Sequence, residues 1–354
     1  MNKFILNCNN IIKNILTIKK GLTPNTKFCA MVKANAYGHG IKAVCKHIST
    51  YVDYFGVAVV SEGLILRNNN IHNKILVVGA FDKYKARLAI INNLELTVCS
   101  LNDLIVLTKT AQKLNIVAKV HIKINTGMNR IGVNNILDFK QMLQYLKVCK
   151  YIKLVGVFSH FSCSDSDKDY TKKQNAKLKK YIKLLKDKSV IKHISSSYAS
   201  INYKQYNYDM VRVGLAIYGY GSPSLTPAIK ITSNIKEIIT LNKNSYIGYG
   251  ATFKTTKFTK IATVGLGYAD GIDVRLSNNA YVNINNTPCK ILGKICMDMF
   301  MCDVTNLSVS VGQEVVVFDY TNNATYWKNF CDCTEYQIIT NFKTNRMKVI
   351  VMNK

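Results

Sequence analysis

Five polar side chains stand at or just beyond the ends of short apolar runs, and each is of a type that binds anions or moves protons. They are Lys33, Arg130, His160, Ser197 and Arg212. A lysine at the mouth of an apolar pocket loses hydration, so the pKa of its ammonium group falls. The resulting amine can form a Schiff base with the aldehyde of pyridoxal 5'-phosphate. Lys33, in "MVKANAYGHG", is the candidate for this link.

A phosphate group needs donors that do not fill its space. The hydroxyl groups of Tyr37 and Ser197 and the backbone amides of Gly214 and Leu215 meet that requirement. These four residues are therefore candidates for binding the phosphate of a pyridoxal 5'-phosphate cofactor linked to Lys33.

These residues must be positioned by a common framework, and the apolar runs supply one. We predict eight strands, each followed by a helix, at residues 28–34, 54–60, 74–80, 94–100, 117–124, 154–160, 191–197 and 209–219. Near-continuous apolar strands that alternate with helices indicate a parallel sheet covered on both faces. Eight such units close a (β/α)8 barrel, in which the carboxyl ends of the strands form the active-site face. All five polar side chains then point to one pocket.

The pattern changes after the turn-rich segment "GSPSLTP" at 221–227. Alternating segments without long helical patterns follow, and a short last helix is expected around 334–342. We therefore predict an α/β protein with two domains. Residues 1–225 form the cofactor-binding barrel, and residues 226–354 form a C-terminal all-β domain.

The composition limits the partners. The formal net charge is +28, but only six of the 48 basic residues are Arg, and Lys is spread along the whole chain. Proteins that read nucleic acids concentrate their charge on one face and favour Arg, so no nucleic-acid partner is expected. No apolar run reaches the roughly 18 residues of a membrane span, and no membrane partner is expected either.

The eleven cysteines include no CxxC pair and no His/Cys cluster with zinc spacing. "CDC" at 331–333 stands alone, and no metal site is predicted. Scattered cysteines in an odd number fit a reducing compartment, and the N-terminus lacks the core of a signal peptide. We therefore expect a cytoplasmic protein.

Several motifs along the whole chain resemble the alanine racemase family, whose members interconvert L- and D-alanine with pyridoxal phosphate. "VKANAYGHG" resembles the segment that carries the cofactor lysine, here Lys33, and the phosphate ligand, here Tyr37. "KINTGMNRIG" resembles the segment whose Arg, here Arg130, contacts the cofactor oxygen and the substrate carboxylate. The resemblance implies that Lys123 can be carbamylated and orient that Arg. It also places His160 against the cofactor ring and Arg212 beside the pyridine nitrogen.

In the second domain, "GYGATF" resembles the segment with the second catalytic base, here Tyr249, and "CMDMF" places Met297 near the substrate. The resemblance implies a two-base mechanism in which Lys33 deprotonates D-alanine and Tyr249 deprotonates L-alanine from the opposite face. In the family this tyrosine reaches the barrel of the other subunit, which implies a homodimer with shared active sites. The product, D-alanine, is a precursor of cell-wall peptidoglycan.

Three positions depart from the family pattern. Asn125 stands where the family has Asp, Ser196 precedes Ser197 in place of Asn, and Asn345 replaces a tyrosine before Arg346. Cofactor contacts are expected to be looser as a result. Two alternatives stay open at this stage: an amino-acid decarboxylase built on the same barrel, and a non-catalytic pyridoxal-phosphate-binding protein. Arg212 argues against the decarboxylase, which needs an acidic partner for the pyridine nitrogen.

Overall fold

The computed structural model describes residues 1–352, which divide into two compact units. The barrel unit comprises Ile12–Ala36 and Gly40–Ile217. The strand unit comprises Met1–Ile11, Tyr37–His39 and the chain from Tyr218 onward. The chain begins with strand β1 (Lys3–Asn7) and helix α1 (Cys8–Lys19).

The barrel unit contains the eight predicted strands. They are β2 (Lys27–Met31), β3 (Tyr54–Val57), β4 (Lys74–Val77), β5 (Glu95–Val98), β6 (Ala118–Lys123), β7 (Ile152–Phe158), β8 (Ile191–His193) and β9 (Met210–Val213). All pairings are parallel, in the order β8-β7-β6-β5-β4-β3-β2-β9. Between the two outer strands, the backbone N–H groups of Asp209 and Arg212 donate to carbonyls of Lys192 and Ser195, each at 3.0 Å. The sheet is therefore a nearly closed barrel, and the predicted fold class is confirmed.

Helices follow the strands, as the pattern predicts. They are α2 (Ile41–Ile48), α3 (Val60–Asn68), α4 (Ala86–Ile91), α5 (Leu101–Leu114), α6 (Ile136–Val148), α7 (Lys168–Ile182) and α8 (Ser197–Asn202). Ser100 caps α5: its hydroxyl accepts from the Asp103 N–H at 3.1 Å, and the Asp103 carboxylate accepts from the Ser100 N–H at 3.1 Å. The last strand is shorter than the predicted 209–219, because a 3-10 turn occupies Leu215–Tyr218.

The strand unit has one large sheet and a two-stranded hairpin. After β1 its strands are β10 (Ile229–Leu241), β11 (Tyr246–Ile247), β12 (Phe253–Lys254), β13 (Thr259–Val264), β14 (Tyr281–Ile284), β15 (Thr287–Leu292), β16 (Phe300–Asp303), β17 (Glu314–Phe318) and β18 (Lys348–Met352). Two helices complete it: α9 (Ala324–Cys331), which the sequence analysis does not predict, and α10 (Glu335–Asn341), which matches the helix expected around 334–342. The mostly-strand character of this part of the chain is confirmed.

One element lies outside its expected domain. Strand β1 falls within the predicted barrel range 1–225, but it pairs antiparallel with β10 and parallel with β18 in the large sheet of the strand unit. The pairing buries Phe4 and Leu6 completely, and alternating buried positions are what a strand with one covered face needs. None of the helices between residues 1 and 352 combines the length and apolarity needed to cross a membrane.

Candidate active site

Lys33 begins a tight turn just after β2. The four residues that follow it, Ala34, Asn35, Ala36 and Tyr37, all have left-handed backbone conformations, with φ between 51° and 54°. This conformation costs a residue with a side chain about 1–2 kcal/mol. The turn is therefore strained, and it persists because the surrounding structure holds it.

Two side chains of the barrel unit hold this left-handed turn. The Asn35 Oδ1 accepts from the N–H of Ile41 at 2.9 Å. Glu62, in the first turn of α3, accepts from the Ala34 N–H at 2.6 Å and from the Ala58 N–H at 2.7 Å. Glu62 thus ties the segment after β2 to the segment after β3. Glu62 is not predicted from the sequence, because an acidic residue in the first turn of a helix is a common feature with no catalytic meaning.

We expect Ala34→Gly to raise the free energy of unfolding by up to about 1 kcal/mol, because glycine adopts the left-handed conformation without a steric penalty. The matched control is Ala43→Gly, which lies in the right-handed helix α2 and is expected to lower stability by about 1 kcal/mol. Urea denaturation of both variants measures the difference. A loss of stability in both would show that the turn at Ala34 is not strained.

Four cationic side chains of the barrel unit influence one another: Lys33, Lys123, Arg130 and Arg212. Burial lowers the pKa of Lys33, and Arg130 lowers it further, while Glu62 raises it. Burial also lowers the pKa of Arg212 to about 10, so this guanidinium keeps its charge at neutral pH. Among residues 1–352, none of the four cations forms an ion pair with a carboxylate. Concentrated positive charge without an acidic partner suits an anionic ligand.

Lys123 is the last residue of β6 and is buried. Its pKa is lowered to about 8, because burial disfavours the charged form and because Arg212 and Arg130 repel it. The ammonium group lies 5.5 Å from the centre of the Phe158 ring, a cation–π distance. Near pH 8 a much larger fraction of the molecules than for an ordinary lysine therefore has Lys123 as a neutral amine.

We expect this neutral amine to add carbon dioxide, forming an N–C bond and releasing one proton. In ¹³C-bicarbonate at pH 8, carbon NMR should show one carbamate signal, which Lys123→Gln removes. Lys119→Gln is the matched control, since Lys119 lies on the same strand and donates to Asn93 at the protein surface. An unchanged spectrum in Lys123→Gln would contradict the assignment.

A chain of hydrogen bonds crosses the interior of the barrel unit and ends at Arg212. The Arg212 Nη1 lies 2.7 Å from His193 Nδ1, and His193 Nε2 lies 3.0 Å from His121 Nδ1. The His121 Nε2 then lies 2.7 Å from a carboxylate oxygen of Glu95. All four side chains are buried, and they come from strands β9, β8, β6 and β5.

The direction of this chain follows from Arg212, which can only donate. His193 must therefore accept at Nδ1 and carry its proton on Nε2, which donates to His121 Nδ1. His121 in turn carries its proton on Nε2 and donates to Glu95. Burial and the neighbouring guanidinium hold the pKa of His193 well below its usual range, which agrees with a neutral ring. The barrel interior thus has a carboxylate at one end, a guanidinium at the other and two neutral imidazoles between them.

The rest of the Arg212 guanidinium is also held by the barrel. Its Nη2 donates to the carbonyl oxygens of Ser159 at 2.7 Å and Ile194 at 3.2 Å, and it lies 3.1 Å from His160 Nδ1. Burial and the nearby cations keep the pKa of His160 well below its usual value, so its ring is neutral and accepts from Arg212. These contacts, together with the one to His193, fix the orientation of the Arg212 guanidinium.

Ser197 begins helix α8 and organises backbone amides. Its Oγ accepts from the N–H of Gly214 at 3.0 Å and from the N–H of Ala216 at 3.2 Å. These two N–H groups are therefore satisfied by a protein oxygen, and Ser197 has its hydroxyl hydrogen left to donate to a phosphate oxygen. The sequence predicts that the amides of Gly214 and Leu215 bind the phosphate. In the structure the Gly214 N–H donates to Ser197 Oγ, together with the Ala216 N–H.

The loop that carries Arg130 is built around Asn125. The Asn125 Oδ1 accepts from the N–H groups of Gly127 and Asn129, at 3.1 and 3.0 Å. Its Nδ2 donates to Asn129 at 2.9 Å and to Asn134 at 2.7 Å. Asn in place of the family's Asp therefore still accepts the loop amides and adds two donated bonds. Asn125 thus makes four hydrogen bonds within the loop that carries Arg130.

Tyr37 belongs to the strand unit, where aromatic rings surround it. Its ring centre lies 5.0 Å from that of Tyr218 and 5.8 Å from that of Tyr336. Gly38, with φ +81°, lies so close to the carbonyl oxygen of Ile339 that a Cβ would overlap it. A glycine is required here by both the close approach and the positive φ. The role of Tyr37 as a phosphate ligand stays a prediction.

Tyr249 stands at the tip of the hairpin formed by β11 and β12. It lies between Gly248 and Gly250, whose φ values of 72° and 71° let the chain reverse within three residues. The Tyr249 side chain is 71% exposed. In the single chain, Tyr249 is therefore accessible to solvent or to another molecule.

Met297 lies in the loop between β15 and β16, and its carbonyl accepts from the Ala269 N–H at 3.0 Å. Gly267 comes so near the Met297 carbonyl that no side chain fits there, which explains one glycine of "GLGYADG". Arg346 donates to the buried Asp270 at 3.0 Å and to Asp298 at 2.6 Å. Arg346 therefore joins Asp298, the residue after Met297, to Asp270, whose segment contacts the Met297 carbonyl. This role of Arg346 is not predicted from the sequence.

Within the barrel unit, the structure brings together Lys33, Arg130, His160 and Arg212, and it joins Ser197 to Gly214. Tyr37, Tyr249 and Met297 belong to the strand unit. The sequence analysis misses Glu62, Glu95, His121 and His193. For Glu95, His121 and His193 the available signal is a polar residue within a near-continuous apolar strand, because polar groups at buried strand positions need a partner.

Comparison with known proteins follows the same division of the chain. The family described as alanine racemase, N-terminal domain, matches residues 6–223, and the family described as alanine racemase, C-terminal domain, matches residues 228–351. Alanine racemase 1 of Caldanaerobacter subterraneus subsp. tengcongensis is 37% identical over 332 residues, covering 89% of this chain and 84% of the relative. The alanine racemase of Lactobacillus acidophilus is 35% identical and covers 94% and 93% of the two chains.

Solved structures agree with these relatives. The alanine racemase of Clostridium difficile 630 superposes with a TM-score of 0.92 at 33% identity, covering 99% of this chain and 95% of that one. The alanine racemase of E. faecalis superposes with a TM-score of 0.93 at 28% identity, covering 99% and 98%.

Proposed function

This chain belongs to the alanine racemase family, and we propose that it interconverts L- and D-alanine with pyridoxal 5'-phosphate as its cofactor. The observation that carries the proposal is the group of four cations in the barrel unit, none of which forms an ion pair with a carboxylate: Lys33, Lys123, Arg130 and Arg212. Among them, Lys33 has a lowered pKa and can offer a neutral amine. The enzyme is an isomerase that supplies D-alanine for peptidoglycan. Its eleven free cysteines and its family support a cytoplasmic location.

The residues of the barrel unit fit this cofactor. Lys33 offers the amine. Ser197, whose oxygen accepts from the N–H groups of Gly214 and Ala216, offers its hydroxyl hydrogen to the phosphate. Gly214 and Leu215 are proposed as further phosphate ligands, as is Tyr37 of the strand unit, and His160 is proposed to lie against the ring. Arg212 can donate a hydrogen bond to the pyridine nitrogen, but it cannot accept one from it.

When bound, the cofactor withdraws electrons from Cα of the amino acid and so makes its hydrogen acidic. Lys33 and Tyr249 act as general bases on opposite faces of Cα. Lys33 takes the proton from D-alanine, and Tyr249 takes it from L-alanine. Each base, once protonated, returns a proton to its own face, so inversion requires both. Arg130 binds the substrate carboxylate, and Met297 contacts the substrate.

Incubation of the purified protein with L-alanine in heavy water, followed by chiral chromatography and mass spectrometry, tests the activity. D-alanine with deuterium at Cα is the expected product. Bound cofactor should give a yellow absorbance that disappears on borohydride reduction, and the reduced cofactor should then be attached covalently to Lys33. This measurement reports the cofactor independently of the activity. Release of carbon dioxide without inversion would support the decarboxylase in place of the racemase.

A homodimer with shared active sites is part of the proposal. The exposure of Tyr249 and the family resemblance support it, because the base is then available to a partner chain. Mixing the inactive variants Lys33→Ala and Tyr249→Phe should restore about a quarter of the active sites after random exchange, since half of the dimers are mixed and each has one intact site. Differently tagged chains establish that exchange occurs. Exchange without recovered activity would contradict shared sites.

A further inference from the structure

Three potential metal ligands meet in the strand unit at residues outside the proposed catalytic site. Asp273, Cys331 and Cys333 each offer one ligand atom, and these atoms all lie within 4.8 Å of one another. Cys331 is fully buried, whereas Asp273 and Cys333 are partly exposed. The cluster includes the isolated "CDC" of the sequence.

The backbone explains why both thiols face the same point. Cys331 is the last residue of α9, and Asp332 after it adopts the left-handed conformation, with φ 42° and ψ 50°. The chain therefore reverses between the two cysteines. Asp273 comes from a separate segment, the start of the 3-10 turn Val274–Leu276. Two thiols and one carboxylate from two distant segments form a set that the sequence spacing does not reveal.

The surroundings of the cluster suit a bound cation. A cleft of about 300 Å³ opens beside it, and Asp273, Cys333, Trp327 and Gln337 are among its lining residues. The cleft provides an entry path and space for a water molecule as fourth ligand. Arg275 donates to Asp273 Oδ1 through its backbone N–H and its Nε, at 2.9 Å each, and to Oδ2 through Nη2 at 2.7 Å, so Oδ2 is the oxygen with a lone pair left for an ion. Its positive charge balances the net negative charge of a divalent ion with two thiolates and one carboxylate.

We propose that Asp273, Cys331 and Cys333 bind one Zn²⁺ ion, with water in the fourth position. Two sulfur ligands and one carboxylate suit zinc, which accepts tetrahedral sites of mixed sulfur and oxygen donors, and they disfavour Mg²⁺ and Ca²⁺, which require oxygen ligands. On binding, two S–H bonds break, two protons leave to solvent and two zinc–sulfur bonds form. The ion would join the end of α9 to the Asp273 segment and so stabilise the strand unit.

Cadmium is the probe, because thiolate–cadmium bonds absorb in the ultraviolet. The full-length holoenzyme is first stripped of adventitious metal with a chelator and then titrated. One equivalent of Cd²⁺ should give a charge-transfer band, and Zn²⁺ should displace it. Cys331→Ser and Cys333→Ser should each weaken binding at least about tenfold and reduce the band, while Asp273→Asn should weaken binding by about tenfold with the band retained. Cys149→Ser, which removes a partly exposed cysteine of the barrel unit, is the matched control and should behave as wild type.

Zinc should also raise the unfolding midpoint of the wild type by at least about 2 °C and leave that of Cys333→Ser unchanged. Because Cys333 is partly exposed, this variant keeps the proposal testable even where Cys331→Ser does not fold. Absence of the band would overturn the proposal, and so would an unaltered band in Cys333→Ser. A Cys331–Cys333 disulfide in protein purified with reductant would also overturn it, since the thiolates would then be unavailable.

Discussion

Tyr249→Phe is expected to stop the interconversion of alanine enantiomers while leaving the Cα hydrogen of D-alanine exchangeable. The phenol is the proposed base on the L-alanine side, and its removal should lower the racemisation rate by about 10²–10⁴. Lys33 is untouched, so it should still remove the proton from D-alanine and return a deuteron to the same face. Proton NMR in heavy water, combined with chiral chromatography, measures exchange and inversion separately for each enantiomer.

Tyr246→Phe is the matched control for this experiment. Tyr246 lies three residues earlier in the same hairpin and is 62% exposed, so its replacement removes a phenol of similar accessibility. It should racemise like the wild type. Equal loss of exchange for D- and L-alanine in Tyr249→Phe would contradict a separate base on each face. Racemisation within a few-fold of wild type would show that Tyr249 is not a base at all.

Arg212→Glu is expected to change the behaviour of the bound cofactor as well as the rate. Arg212 can only donate to the pyridine nitrogen, whereas a carboxylate can accept and so favours a protonated ring. We expect stronger long-wavelength absorbance with alanine present, more transamination to pyruvate, and racemisation lower by at least about a hundredfold. Stopped-flow absorbance and a pyruvate assay measure these effects.

Stability must be followed in the same variant, because Arg212 is buried and hydrogen-bonded. Its loss leaves His193 Nδ1 and the carbonyl oxygens of Ser159 and Ile194 without their donor. Each buried group left unsatisfied costs about 1–3 kcal/mol, so the free energy of unfolding should fall by about 3 kcal/mol or more. Arg212→Lys keeps the positive charge and controls for the charge reversal. If both variants show the same cofactor spectrum as wild type, the identity of the group beside the ring nitrogen does not govern the chemistry.

Nitrogen NMR of labelled histidine provides a readout that does not depend on activity. In the wild type, His193 and His121 should both be neutral with the proton on Nε2, as the direction of the hydrogen-bond chain requires. In Arg212→Glu a carboxylate would face His193 Nδ1, so that nitrogen should become a donor. The chain would then have to reverse or break at His121.

The amino-acid sequence alone determines the framework of this protein. The eight barrel strands follow from near-continuous apolar runs of strand length, because each run can be buried on both faces only within a helix-covered parallel sheet. Lys33, His160 and Ser197 follow the ends of their runs, and the fold class alone assigns those ends to one face. Apolar runs and the polar residues that follow them depend only on neighbouring residues, so they can be predicted from the sequence.

The tertiary structure decides what distant segments do to each other. The hydrogen-bond chain from Glu95 to Arg212 needs the stagger of strands β5, β6, β8 and β9, which no single strand encodes. Strand β1 joins the second sheet because its partners β10 and β18 lie far along the chain. The same holds for Asp273 beside Cys331 and Cys333. Burial is a local property of the sequence pattern, but the partner of a buried polar group is set by three-dimensional packing, and the chemistry depends on that partner.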